Sequence, residues 1–393
     1  MYEKFALELK KGNETTTIEY LTGVHQGDNL APLLFVLVFQ AAMESLQLSP
    51  ECEEISKPQY KYFPNTKADK PRGRLTSQNP SAKGTAFTHW LSLYVDDSAF
   101  ILPTREDATK TANLTLNHLK RFGLQMHTGS IDKKSKTEVL FVPKRSEQNK
   151  PTDLSPIILS NGTQITYTKR FTYLGSVIAS DLSDDPDITL RISKANQAFG
   201  SLRSLIFCNP FIPLEIKRYF YIAITVNLLL WGNECWALST HMLKKLECFH
   251  SKCCRAILGI SMWEVSMYKV KNIHILARLY MPTMESFIHF RRLVWIGKIA
   301  SMPFTRNPRI FLNAWISNPR PTGRPNLTTR ESFLKSLKYL HEHGGEDFKN
   351  VKCPNGKLEQ WLPIAQLPTI DWLEKIEFLR ETRMLNEVDF YKT

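Results

Sequence analysis

Residues 93–102 read Leu-Tyr-Val-Asp-Asp-Ser-Ala-Phe-Ile-Leu and place two adjacent acids inside an otherwise apolar run. The apolar flanks, 90–95 and 99–102, are typical of two short β-strands. Asp96 and Asp97 then fall at the turn between the strands, at the tip of a hairpin. A turn that presents them to a divalent cation avoids the cost of burying unpaired carboxylates, and Mg²⁺ is commonly held by one or two carboxylates and substrate phosphates. An Asp-Asp pair alone is equally typical of a solvated turn.

A second motif lies upstream of this pair. Residues 23–35 read Gly-Val-His-Gln-Gly-Asp-Asn-Leu-Ala-Pro-Leu-Leu-Phe, and their glycines permit a close approach of the backbone to a ligand. The helix that follows is predicted to carry one apolar stripe, formed by Leu33, Leu34, Leu37, Val38 and Ala41. Together with the Tyr-Val-Asp-Asp of residues 94–97, this stretch resembles two palm motifs of reverse transcriptases from non-LTR (LINE-type) retrotransposons.

Further stretches resemble later motifs of the same family, in the same order. Residues 123–126 and 136–141 are similar to the box in which a Gly-Leu stretch precedes Lys-Thr-Glu and a strand. Residues 171–178, Phe-Thr-Tyr-Leu-Gly-Ser-Val-Ile, resemble the box that grips the primer strand. Weaker similarity to segments downstream of the polymerase domain occurs at 231–238, 291–298 and 323–325. The resemblance therefore covers most of residues 1–330.

The resemblance implies a role for each residue that matches a motif. Asp96 and Asp97 are the catalytic residues and hold Mg²⁺ in a two-metal site for phosphoryl transfer. The residues that line the nucleotide and template pocket are Gln26, Gly27, Tyr94 and Lys136. The residues that hold the primer are Tyr173, Leu174 and Gly175. The implied partners are an RNA template, a DNA primer and deoxynucleoside triphosphates, and the implied activity is that of an RNA-directed DNA polymerase.

One expected carboxylate is missing from the pattern. In the family, another catalytic Asp lies on a strand several dozen residues before the first motif, whereas here 22 residues precede Gly23 and the first aspartate is Asp28. We therefore expect a truncated copy that lacks the fingers and one carboxylate set of the metal site, and we expect the isolated chain to be inactive. The alternatives are a catalytically inactive remnant that binds nucleic acid, or a product without a stable fold, because a palm without its first strand exposes a sheet edge.

The positive charge is concentrated in one part of the chain. The formal net charge is +13, and residues 191–330 hold 20 Lys and Arg against 5 Asp and Glu, whereas the remainder holds 31 against 33. Such a concentration is the electrostatic footprint of a surface that binds a polyanion. The alternative is an ordinary solvated helical face.

These observations predict an α+β fold. We expect a partial polymerase palm over residues 1–180, built of an antiparallel sheet with helices on one face and interrupted by a disordered insertion at about 57–84. An all-helical thumb is predicted for 181–260, and a helical C-terminal region of unknown role for 261–393.

The cysteines and the apolar runs predict the cellular compartment of the protein. The seven cysteines are scattered, and the first residues do not read as a signal peptide, so we expect an intracellular protein, nuclear or cytoplasmic, that is not secreted. No membrane association is predicted, because the apolar runs are shorter than the roughly 20 residues that a bilayer requires. Cys248, His250, Cys253 and Cys254 have the residue types of a zinc site. They fall, however, within one helix that is predicted to run from 240 to 258 and to end at Gly259, where their side chains would point to different faces.

Overall fold

The computed structural model describes residues 5–12, 14–20, 29–62, 85–130, 135–143, 152–303 and 305–315, and scattered residues between 332 and 339. The fold is α+β, with small sheets of two or three strands. The chain divides into two compact units. Unit 1 comprises residues 1–60, 86–139 and 153–167, and unit 2 comprises 61–85, 140–152 and 168–393.

The strands of the described residues are short. They are β1 (Phe5–Lys11), β2 (Glu14–Tyr20), β3 (Gln59–Tyr62), β4 (Thr85–Thr88), β5 (Leu91–Tyr94), β6 (Asp97–Phe100), β7 (Glu138–Leu140), β8 (Ile157–Ile158), β9 (Gln164–Thr168), β10 (Arg170–Tyr173), β11 (Ser176–Ala179) and β12 (Ala314–Trp315). Consecutive strands form antiparallel hairpins at β1–β2, β5–β6, β8–β9 and β10–β11.

The described residues form eleven α-helices, of which the first three belong to unit 1 and the other eight to unit 2. They are α1 (Ala31–Gln47), α2 (Pro50–Glu53), α3 (Arg105–Arg121), α4 (Asp185–Leu202), α5 (Leu214–Phe220), α6 (Asn227–Leu229), α7 (Thr240–Leu258), α8 (Met262–Met267), α9 (Asn272–Arg278), α10 (Met284–Ser301) and α11 (Asn307–Asn313). None of those in the described part of the chain combines the length and the hydropathy that crossing a bilayer requires.

In unit 1, the β5–β6 hairpin lies against two helices. Leu91 and Phe100 are partners across the hairpin. Both pack against a small core in which Phe39 and Met43 come from α1 and Leu119 comes from α3. Burying such side chains contributes about 1.5–3 kcal/mol each. The helices thus fix one end of the hairpin, and its turn projects away from this core.

The buried face of α1 differs from the predicted one. The buried residues are Ala31, Phe39, Ala42, Met43 and Leu46. The predicted stripe was wrong, because four of its five members are exposed: Leu33, Leu37, Val38 and Ala41. Apolar residues occur on all sides of this helix, so periodicity alone did not identify the face that packs.

The predicted insertion at 57–84 is only partly within the described residues. Gln59–Tyr62 forms β3, and the rings of Tyr60 and Phe87 are 5.4 Å apart. Residues 59–62 are thus a strand, and the disorder predicted for the insertion stays a prediction. Residues 63–84 lie outside the described part of the chain.

Unit 2 is organised around one apolar core that runs from α4 to α10. Phe199 and Phe207 stack with ring centroids 4.5 Å apart, and the Tyr221 ring meets both edge-on. Residues on both sides of position 260 contribute to this core, among them Leu246 and Phe287. The β10–β11 hairpin also belongs to this unit. The units therefore do not follow the predicted domain boundaries at 180 and 260.

Candidate functional site

The two adjacent acids lie at the tip of the β5–β6 hairpin. Tyr94 and Asp97 form the last paired residues, and Val95 and Asp96 form the two-residue turn between them. Asp97 is thus the first residue of β6 rather than a turn residue. Two-residue turns of this kind are the tightest connection between antiparallel strands, so Asp96 and Asp97 are adjacent residues at the end of the hairpin.

The turn is strained at Val95. This residue has a φ of +54°, in the left-handed region that β-branched side chains avoid. Holding a residue there costs about 1–3 kcal/mol, and such strain persists where the surrounding structure imposes it, most often at functional sites. Val95 alone of the two turn residues has a positive φ, as in a type II′ turn, where glycine is the usual occupant.

Both carboxylates are available to a ligand. Asp96 and Asp97 are exposed, and among the described residues neither carboxylate has a hydrogen-bond or ion-pair partner. The ring of Tyr94 beside them is 60% exposed. Two neighbouring negative charges repel each other, and a divalent cation between them removes that repulsion. The arrangement therefore fits the protein's share of an Mg²⁺ site whose other ligands are water and substrate phosphates.

The described residues do not supply a complete metal cage. They contain no group of three or more His, Cys, Asp or Glu side chains placed to hold an ion. The hairpin tip thus offers two carboxylates and open coordination positions. A site of this kind binds a cation firmly only together with its substrate.

Only some of the residues predicted to line the nucleotide pocket lie within the described part of the chain. Gln26 and Gly27 lie outside the described residues. Lys136 is exposed in the loop before β7. Its backbone N–H donates to Nδ1 of His127 at 3.1 Å, and the hydroxyl of Ser135 donates to the His127 carbonyl at 3.1 Å. The loop is therefore anchored through His127, while the Lys136 side chain extends into solvent.

The predicted primer-holding residues form a second tight hairpin, in unit 2. Tyr173 ends β10, and Leu174 and Gly175 form the turn to β11. Both turn residues have a positive φ, +48° for Leu174 and +84° for Gly175, as a type I′ turn requires. Glycine adopts this conformation freely, whereas the leucine is strained. The Leu174 side chain is 42% exposed.

This second hairpin is held by charged residues of α4. Arg191 donates a hydrogen bond to the carbonyl of Gly175. Asp187 accepts a hydrogen bond from the backbone N–H of Val177 at 2.9 Å. The Arg191 guanidinium also lies over the ring of Trp231, 5.9 Å from its centroid. We call Asp187, Arg191 and Trp231 the hairpin brace.

The brace is buried and closely packed. The Arg191 and Asp187 side chains form an ion pair at 3.6 Å, with each 4% exposed, and burial lowers the pKa of Arg191. The other Asp187 oxygen accepts a hydrogen bond from Nε1 of Trp236 at 2.8 Å. A Cβ at Gly232 would lie 2.9 Å from the Ser176 hydroxyl oxygen, so only glycine fits there. Sequence reasoning missed this network, although Asp187 and Arg191 have the i, i+4 spacing of a helical ion pair.

Part of the positive charge of residues 191–330 is structural. Several buried or half-buried arginines donate to backbone carbonyls: Arg191 to Gly175, Arg291 to Leu230, Arg292 to Trp236 and Arg309 to Met302. Burial lowers the pKa of Arg292 to about 10. Other basic residues of this block are exposed, among them Lys194, Lys244, Lys252, Lys269, Lys271 and Arg278. These exposed residues are the ones available to a polyanion.

Among the four residues that have the types of a zinc site, His250 and Cys253 are buried in α7. The ring of His250 is buried, and the Tyr221 hydroxyl lies 2.9 Å from its Nδ1. Its Nε2 lies 3.0 Å from the carbonyl oxygen of Pro282. Because a carbonyl oxygen can only accept a hydrogen bond, Nε2 carries the proton and donates. Both ring nitrogens are therefore engaged. Burial raises the pKa of the Cys253 thiol to about 12, which disfavours the thiolate that a metal would require.

Comparison with known proteins identifies no relative. No family model matches the chain, and no curated protein or solved structure matches it either.

Proposed function

We propose that this chain is an RNA-directed DNA polymerase of the LINE-type retroelement class. The observation that carries the proposal is the hairpin tip, where Tyr94, Val95, Asp96 and Asp97 form a strained two-residue turn with two exposed, unpaired carboxylates. The resemblance of residues 23–35 and 94–97 to two polymerase motifs gives the turn its chemical interpretation.

In this proposal, Asp96 and Asp97 hold Mg²⁺ next to the primer terminus. The bound cation would supply activation of the primer hydroxyl and stabilisation of the leaving pyrophosphate. The exposed Tyr94 ring lies beside the nucleotide. Lys136 is the cation placed to meet triphosphate oxygens, because its side chain is exposed on an anchored loop. The hairpin turn at Leu174 and Gly175 contacts the primer backbone, and the exposed lysines of unit 2 contact duplex phosphates.

A second candidate is a nucleic-acid-binding protein without catalysis. It is favoured by one specific observation: the described residues offer two carboxylates at the hairpin tip and no third acidic side chain beside them. The exposed basic residues of unit 2 would still bind a duplex in this case.

Primer extension separates the two candidates. The purified chain is incubated with a DNA-primed RNA template, deoxynucleoside triphosphates and Mg²⁺, beside the Asp96→Asn and Asp97→Asn variants. Glu51→Gln, which changes an exposed carboxylate of α2, serves as the matched control. The polymerase proposal predicts extension by the wild-type chain and by Glu51→Gln, and its loss in both aspartate variants.

Two results would count against the polymerase. Extension that is unchanged in Asp96→Asn would contradict the proposed site. Absence of extension by the wild-type chain, with salt-sensitive binding of the primer–template retained, would reject the polymerase and support the binding protein.

A further inference from the structure

α8 and the residue after it carry four large exposed side chains. Met262, Trp263, Met267 and Tyr268 are between 64% and 68% exposed. The rings of Trp263 and Tyr268 meet edge to face, with their centroids 6.3 Å apart. A contiguous apolar and aromatic surface of this kind marks an interaction site more often than it marks ordinary surface. We call this set, together with Lys269 and Lys271, the α8 surface.

The charge around these rings is positive. Residues 252–280 contain five Lys and Arg and one acid, Glu264. The Glu264 carboxylate accepts a hydrogen bond from the backbone N–H of Ser261 at 2.7 Å, which closes a capping box at the start of α8. This hydrogen bonding lowers the pKa of Glu264. Lys269 and Lys271 are exposed directly after Tyr268. The Glu264 carboxylate keeps its negative charge, and residues 261–271, with two lysines and this one acid, carry a net charge of 2 − 1 = +1.

Lys269 occupies a position that normally belongs to glycine. It follows the C-cap of α8 with a φ of +51°, and the backbone N–H of Val270 donates to the carbonyl of Val265 at 3.1 Å. This is the Schellman arrangement that ends many helices, in which glycine usually takes the left-handed residue. A lysine there is strained, and its exposed side chain directly follows Tyr268 in the chain.

We propose that Trp263, Tyr268, Lys269 and Lys271 form a binding site for single-stranded nucleic acid. Unpaired bases stack on exposed aromatic rings, and neighbouring cations follow the phosphates, which is the common design of single-strand sites. A duplex does not fit, because its bases have no free faces. A protein partner fits less well, because lysine is depleted at the centres of protein interfaces. The inference rests on the proposed function in one respect, namely that the partner is a nucleic acid. The segment bound here would be the unpaired template, whereas the hairpin tip would act at the primer terminus.

The test is the affinity of the full chain for a labelled oligouridylate, measured by fluorescence anisotropy over a series of salt concentrations. Trp263→Ala should weaken binding about tenfold, the loss expected for one base stack. Lys271→Ala and Lys269→Gly should each reduce the slope of log affinity against log salt by about 0.7. Lys269→Gly should also raise the midpoint of thermal unfolding, because glycine relieves the backbone strain. Weaker oligouridylate binding by this variant could then not be attributed to unfolding.

Matched controls make the result specific. Phe211→Ala removes an exposed aromatic ring elsewhere in unit 2 and should leave oligouridylate affinity unchanged. Trp263→Ala should leave affinity for a blunt RNA–DNA duplex unchanged. Wild-type affinity for oligouridylate in Trp263→Ala would overturn the proposal, and so would equal losses in Trp263→Ala and Phe211→Ala. Loss of self-association by Trp263→Ala without loss of oligouridylate affinity would identify a protein interface instead.

The outcome is separable from that of primer extension. A chain that binds oligouridylate through Trp263 but does not extend a primer would support the α8 surface and reject the polymerase. A chain that extends a primer with equal efficiency in Trp263→Ala, and with unchanged oligouridylate affinity, would support the polymerase and reject the α8 surface.

Discussion

The backbone conformation of Val95 lowers the stability of the hairpin, whereas the proposed function requires the tight turn that this conformation forms. Its left-handed backbone lowers the stability of the hairpin, and its side chain is 46% exposed, so little burial compensates. What the conformation provides is a tight turn that holds Asp96 and Asp97 side by side. The strain is the expected cost of a preformed site.

Val95→Gly should therefore increase stability. Glycine adopts a positive φ without strain, and the relief of about 1–3 kcal/mol exceeds its entropic cost of about 0.5–1 kcal/mol. We expect the free energy of unfolding in urea to rise by about 1 kcal/mol, while primer extension falls because the turn becomes less rigid. A decrease in stability would show that the backbone at this turn is not strained.

The hairpin at Asp96 and Asp97 could be predicted from the sequence, but its backbone strain could not. Two acids between alternating apolar strands predicted the hairpin, and the structure has it. The strain at Val95 was not predictable, because φ depends on the register that the two strands adopt. Likewise, the sequence did not reveal that the guanidinium groups of Arg191 and Arg292 meet backbone carbonyls, since a count of charges does not distinguish exposed from buried arginines.

Among the elements, the β10–β11 hairpin depends on α4. The Asp187–Arg191 pair is buried, so removal of one partner leaves an uncompensated charge, at a cost of about 3–5 kcal/mol. Asp187→Ala should therefore lower the free energy of unfolding by that amount, as measured by urea denaturation. The double variant Asp187→Leu with Arg191→Met should lose less than the single variant, because it buries no charge. Equal losses would indicate that the hydrogen bonds, and not the charge, determine the stability.

The buried ring of His250 in α7, which contacts the Tyr221 hydroxyl and the Pro282 carbonyl, gives unit 2 a pH dependence. Burial lowers the pKa of His250 from 6.5 to about 4. The unfolded chain thus binds the proton more tightly, and stability is fully present above pH 6.5 and falls as the pH decreases towards 4. The expected loss over that range is about 3 kcal/mol. In His250→Gln this part of the pH dependence should disappear, whereas His241→Gln, at an exposed position of the same helix, should retain it.

Element boundaries were easier to predict than the faces that elements bury. The sequence predicts a helix from 240 to 258 that ends at Gly259, and the structure has that helix, with Gly259 at a φ of +70°. For α1, apolar residues on several sides left the face undetermined, and the predicted stripe is exposed. The brace of the β10–β11 hairpin joins Gly175 to Trp231, which are far apart in sequence, so no local pattern indicated it.

For the whole molecule, the positive charge divides into structural and available parts. Lys244 and Lys252 lie about 12 Å apart along α7, and both are exposed, so under the proposed function both are available to duplex phosphates. Neutralising either one should reduce the salt slope of duplex binding by about 0.9. Lys110→Ala, which removes an exposed lysine of unit 1 that pairs with Glu106, should leave the slope unchanged. Unchanged slopes in the α7 variants would place the duplex elsewhere.

The central claim is that Asp96 and Asp97 hold a divalent cation, and Fe²⁺-directed cleavage tests it most directly. Fe²⁺ takes the place of Mg²⁺, and ascorbate with peroxide then cuts the backbone next to the bound ion, with the fragments identified by mass. We predict cleavage at the β5–β6 turn that requires a deoxynucleoside triphosphate, is suppressed by excess Mg²⁺, and is absent when Asp96 and Asp97 are both changed to Asn. Cleavage that persists in the double variant, or occurs only elsewhere in the chain, would contradict the account.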